Sequence, residues 1–168
     1  ASCPPIRTKV NRMSFDSGAA VAAGLIGGGV MSLLLYMGIA LMPRQMKMNL
    51  FLLLGTMIFN NKQLAYVAGG TMHAVMSVAF GLVHVALYNA FGLESALVAW
   101  GILFGFGHWL VTGMGLSMVP IMHPAIRRGA MQAPGAFALN FPSMTAMGFF
   151  MLHILFGVLV ATAYTALV

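Results

Sequence analysis

Four of the chain's five histidines, His73, His84, His108 and His153, fall inside long apolar stretches. An ionisable side chain at membrane depth is costly to keep there and is a functional candidate by default. Neutral imidazole ligates haem iron, copper or zinc, and a pair from facing helices is how bundles hold b-type haem. Two other uses compete. Each ring can donate to a carbonyl or hydroxyl of a neighbouring helix, glue worth about 0.6–2 kcal/mol, or contact a quinone or other small ligand. Counted from the side of the long connections, His73 and His153 lie about nine residues in and His108 about twelve, a depth of roughly 13–18 Å. Three rings are expected to share a layer. His84, three turns beyond His73 on the same face, is expected to form a second level near the other surface. His123, beside Pro124 in a connection, reads as an ordinary surface residue.

Little else in the chain offers chemistry. None of the ten charged residues falls within the apolar stretches, so they hold neither a Ser-His-Asp relay nor a His/Glu metal site, and no catalytic activity is expected. Ion-coupled transport lacks intramembrane carboxylates. The single cysteine, Cys3, excludes an intrachain disulfide and a cysteine-built metal cage. The 16 methionines are scattered through apolar runs, which suits adaptable packing better than copper handling. Trp109 reads as a mid-membrane core filler, and Trp100, Tyr66, Tyr88 and Tyr164 as interface anchors near span ends.

The elements that must position the histidines follow from composition. The chain is 61% hydrophobic and 6% charged, far below the charge of about 25% that soluble domains carry. A helical span needs about 20 apolar residues, and four uncharged stretches satisfy that: Ser17–Met42, Leu64–Phe91, Ser95–Ile121 and Met144–Val168. The run Met48–Phe59 is too short and reads as an interfacial or re-entrant helix. Residues 1–16 read as a tail and 17–168 as a single transmembrane domain. Arg7, Lys9 and Arg12 precede an apolar stretch too long for a secretory signal, which therefore reads as a membrane anchor. The net charge of +6 comes without a basic run, so nucleic acid is not an expected partner and lipid headgroups are. Arg44, Lys47, Lys62, Arg127 and Arg128 lie on one side, against Arg7, Lys9, Arg12, Asp16 and Glu94 on the other. That balance favours both termini on the non-cytoplasmic side of a bacterial inner membrane.

Aligned on itself, the chain suggests a duplication. Gly24 and Gly28 through Pro43 lie over Gly101 and Gly105 through Pro120, and Phe80-Gly81 with Tyr88 over Phe156-Gly157 with Tyr164. The expected fold is therefore an all-α membrane protein: four transmembrane helices as two repeated helical hairpins, about 17–91 and 95–168. The repeat is parallel, with short interfacial or re-entrant helices after the first and third spans. Ala20, Gly24, Gly28 and Ser32 form a small-residue stripe on the first span. Gly101 and Gly105 continue it on the third, Gly70, Ala74, Ser77 and Gly81 on the second, and Gly157, Ala161 and Thr165 on the fourth.

Met72-His73, Gly107-His108-Trp109 with Pro120, and His153 with Phe156-Gly157 and Tyr164 resemble the pattern of an uncharacterised family of small bacterial four-helix integral membrane proteins. The similarity covers roughly residues 18–168. It implies the fold and gives the histidines interest, and it carries no reaction with it. Phe149 stands where the internal alignment would put a histidine, against a strictly symmetric ligand pair. The function expected first is a structural or accessory subunit of a larger energy-transducing membrane complex, with other transmembrane subunits as partners. The alternative is a small electron-transfer protein with a histidine-ligated haem or chlorophyll-type pigment, or one that interacts with quinone.

Overall fold

A computed structural model describes residues 15–168 of the chain, so Cys3, Arg7, Lys9 and Arg12 lie outside the described residues. Its elements are α-helices and one 3-10 turn: α1 (Ser17–Leu41), α2 (Leu50–Gly55), α3 (Lys62–Ala90), α4 (Leu97–Met122), α5 (Pro124–Arg127), the 3-10 turn Ala136–Ala138, and α6 (Ser143–Leu167). Helices α1, α3, α4 and α6 are each long and apolar enough to cross a membrane.

Local chemistry sets the helix starts. The Asp16 carboxylate accepts the Ala19 N–H at 2.8 Å, Asn49 accepts from Leu52 at 3.1 Å, and Asn61 accepts from Gln63 and Leu64. Each satisfies a backbone donor that has no partner within its own helix. Asn61 also explains why the second span opens at Lys62, two residues ahead of the uncharged stretch: a cap needs its side chain just outside the first turn.

The spans meet through glycine. A Cβ on Gly24 would stand 2.5 Å from the Ser77 carbonyl oxygen and 3.2 Å from the Gly81 Cα. One on Gly28 would enter the Ser77 side chain. On the other side, a Cβ on Gly101 would overlap the Gly157 carbonyl oxygen, and one on Gly105 would stand 2.6 Å from that of His153. These approaches bring α1 onto α3 and α4 onto α6, and α1 also packs along α6. By contrast, α3 and α4 meet through side chains, where Phe80 stacks on His108, where His84 lies edge-on to His108 and Phe104, and where Tyr88 meets Phe104. A gap is left between them on the long-connection side.

The connections close that end as one piece. Helix α2 folds back on α3, with Gly55 against Ala65 and Gly69 against the Phe51 backbone so closely that neither glycine has room for a side chain. The Asn49 side-chain oxygen accepts a hydrogen bond from the Tyr36 hydroxyl at 2.9 Å and its amide nitrogen donates to the Tyr66 oxygen at 2.6 Å, joining α1 to α3. Thr145, at the start of α6, donates to the Gln45 carbonyl at 2.6 Å and accepts the Lys47 N–H at 3.1 Å. Beyond α5, Phe137 and Ala138 take φ of 52° and 61°, a left-handed backbone that non-glycine residues rarely adopt. The Phe137 ring fits over Gly113 and lies 4.7 Å from Trp109.

His123 overturns its surface reading. It is 0% exposed. Its Nε2 donates to the Leu53 carbonyl at 2.9 Å, and its Nδ1 accepts the Ile126 N–H at 3.3 Å. One imidazole thus caps α5 and ties it to α2. Tyr88 and Tyr164 are likewise not interface anchors, for both rings are fully buried, and the Tyr164 oxygen accepts the Asp16 N–H at 3.1 Å. Trp100 is exposed.

Candidate functional site

The gap between α3 and α4, roofed by α2, is a cavity of about 230 Å³. Its wall is almost entirely apolar, with Met31, Met48, Leu53, Phe80 and Phe149 among its surfaces. The titratable groups on it are His73, His108 and His153. The spacing that puts His73 and Ser77 on one face of α3, and His153 and Phe149 on one face of α6, turns both faces inward.

The rings differ in how far the protein has already used them. His153 is committed at both nitrogens: a carbonyl can only accept, so Nδ1 carries the proton that goes to the Phe149 oxygen at 2.6 Å. Nε2 is then left to face the Thr112 hydroxyl at 3.0 Å. His73 is half committed, with Nδ1 3.1 Å from the Ser32 hydroxyl and no protein partner for Nε2. His108 makes no side-chain hydrogen bond. Its Nδ1 is buried and unpartnered, and its ring is held by stacking alone, with Phe80 at 3.6 Å and 21° and Phe156 edge-on at 5.1 Å.

His84 does not form a separate level. Its ring centroid lies 5.8 Å from that of His108, which in turn lies 4.7 Å from that of His153. The three rings form one column, with His73 on the cavity wall, 6.0 Å from the Phe51 ring. A Cα–Cβ bond leans towards its own helix N-terminus. Helices α3 and α4 run in opposite directions, so His84 leans away from the α3–α4 turn and His108 leans towards it, and the two converge. Both His84 nitrogens and the Tyr88 hydroxyl are also buried without a protein partner. Leaving such a group unmet costs about 1–3 kcal/mol, so this column is where the bundle has polar capacity to offer.

The site is poorly suited to a metal or a macrocycle. Among the described residues, no three His, Cys, Asp or Glu side chains are grouped so as to hold a metal ion. The His108 and His153 rings touch edge to face, which leaves no slot between them for a porphyrin. A cavity of about 230 Å³ is also smaller than the roughly 300–1,000 Å³ of ordinary ligand pockets. A single ring or a short chain fits it better.

No family model, curated protein or solved structure matches the chain. Fold and site together define a class: an all-helical protein with four helices fit to span a membrane and a histidine-lined apolar cavity between two of them.

Proposed function

We propose that this chain is an accessory transmembrane subunit of a larger energy-transducing membrane complex, and that its cavity takes the ring of a lipid-soluble small molecule of the quinone class. The observation that carries the reading is the pair of uncommitted imidazoles, His73 and His108, on an otherwise apolar wall. Apolar walls with a few polar groups are the usual form of small-molecule sites. A quinone ring presents carbonyl acceptors that imidazole N–H groups can meet, and its apolar tail belongs in the bilayer. Methionine and phenylalanine walls suit a flat ring.

The halves behave as parallel repeats in this reading. Gly24 on Gly81 and Gly101 on Gly157 are equivalent contacts in the internal alignment. Ser77 and His153, also equivalent, each donate to the carbonyl four residues before them. Cavity positions pair in the same way, Met31 with His108 and His73 with Phe149, so the pseudo-axis passes through the cavity and each pair supplies one histidine. Other subunits are supported by the broad apolar outer faces of α3 and α4 and by Gly29 and Gly107, whose missing side chains open outward. The exposed Arg44, Lys47, Lys62, Arg127 and Arg128 support a bacterial inner membrane with both termini on the non-cytoplasmic side.

Purification in mild detergent tests both parts. Stoichiometric partner subunits and an extractable quinone-class lipid are the expected outcome. A protein that arrives alone, with a reduced-minus-oxidised haem or chlorophyll band abolished by His108→Ala, would replace this reading with the pigment one.

A further inference from the structure

We propose that the cavity is entered sideways from the bilayer, through a window between α3 and α4, and that Gly115 is the residue that sets what can pass. The observation that carries this is where the cavity wall reaches the outside. Every lining residue on α1 and α6 is buried, Met31 and Phe149 among them. On α3 and α4 the wall includes Met76, which is 38% exposed, and Gly115, exposed as well. A Cβ built on Gly115 meets nothing within 4 Å. The cavity is thus closed towards α1 and α6 and open towards the outer faces of α3 and α4.

Each edge of the window has a cause in the fold. Its sill is the Phe80–His108 stack, with ring centroids 3.6 Å apart, where the two helices are held together. Met76 stands one turn from Phe80 and Gly115 two turns from His108, both on the side of the long connections. Leu54 of α2 and Met57 just after it close the top. With no side chain at residue 115, nothing on α4 fills the space across from Met76.

What surrounds the window decides what can use it. Val75, Met114 and Met118, on the adjoining outer faces, are exposed apolar side chains on helices fit to cross a membrane, so acyl chains are the natural neighbours of this surface. No Asp, Glu, Lys or Arg lines the cavity. A charged ligand would have to shed its water to arrive this way, whereas a molecule dissolved in the bilayer is already at the entrance. Met76 and Met57 are unbranched and adaptable, so a change of side-chain rotamer admits a single ring while the helices stay in place. A ring seated at His73 and His108 would leave its tail lying across Gly115, and the bulk of residue 115 then limits the tail. The window's use rests on the cavity taking a ligand; its openness does not.

The test is photolabelling of the protein in liposomes with a phenyl diazirine, a single apolar ring that dissolves in the bilayer, with the labelled residues read by mass spectrometry. Phe149 and Leu152, on the buried far wall, should be labelled along with Leu33 and Met151, which are exposed on α1 and α6. Gly115→Leu should cut the labelling of Phe149 and Leu152 severalfold and leave Leu33 and Met151 unchanged. Gly107→Leu, the same bulk on the same helix but away from the cavity wall, should change neither, and Met76→Ala should raise the inner labelling. An unlabelled Phe149 and Leu152 beside labelled outer residues would overturn the proposal, as would inner labelling indifferent to Gly115→Leu. Equal inner labelling by a charged, water-soluble diazirine would also overturn it, since the entrance would then lie at the water face. Adding a short-chain benzoquinone separates the two readings: inner labelling that still responds to Gly115→Leu but that the benzoquinone does not protect would leave the window standing and remove the quinone from the cavity.

Discussion

His153 and His123 carry the same side chain as His84, yet the first two have their nitrogens occupied by named partners and the third has neither. Residue type alone did not distinguish them, because what a ring bonds depends on peptides far away in sequence. The Leu53 carbonyl that His123 meets lies seventy residues upstream, so its spacing and its Pro124 neighbour pointed to an ordinary surface position. The consequence is measurable. His123→Ala removes a buried donor from the Leu53 carbonyl and the cap from α5, and should destabilise the protein by about 2 kcal/mol. Reversible denaturation in detergent checks this, and a change below about 0.5 kcal/mol, typical of a surface substitution, would show that the residue is not a staple. Phe137 gives a second case. Gly113→Ala would drive a methyl group into its ring and should cost about 1–3 kcal/mol by overpacking, whereas Gly115→Ala, with open space before it, should not.

Helix α1 presents a matched pair of neighbours. Gly28 lies against Ser77 with no room for a Cβ, while Gly29 faces nothing within 4 Å. Adding the same methyl group should therefore have opposite signs. Gly29→Ala should stabilise the helix by about 0.5–1 kcal/mol from propensity alone, whereas Gly28→Ala should separate α1 from α3 and lower stability. Thermal unfolding of the two variants side by side checks the pair, and equal effects would refute the close α1–α3 approach. The spans themselves were legible because a helix crossing lipid excludes charge over some twenty residues, and the observed bounds fall within two residues of the uncharged stretches. The place of His84 was not legible. Counting turns along α3 gives its depth but not the lean of its ring, and antiparallel α4 brings His108 towards it.

At the scale of the whole molecule, two pairs of helices join through α1 and α6, and the connections lock together at one end by way of His123, Thr145 and Asn49. This arrangement leaves a space between α3 and α4 beside a core packed around Tyr88, Phe156 and Tyr164. Composition foretold four helices long and apolar enough to cross a membrane, and four histidines fall within them. A cavity was not foretold, because it opens where α3 and α4 part beyond the Phe80–His108 stack, which no local pattern encodes. The most direct measurement is equilibrium binding of a short-chain benzoquinone to the detergent-purified protein, compared with His73→Leu and His108→Leu. Saturable binding that weakens about tenfold in each variant, the loss of about 1.4 kcal/mol expected for one hydrogen bond, is the predicted result. Binding that is absent, or equally strong in both variants while the proteins stay folded, would contradict the account.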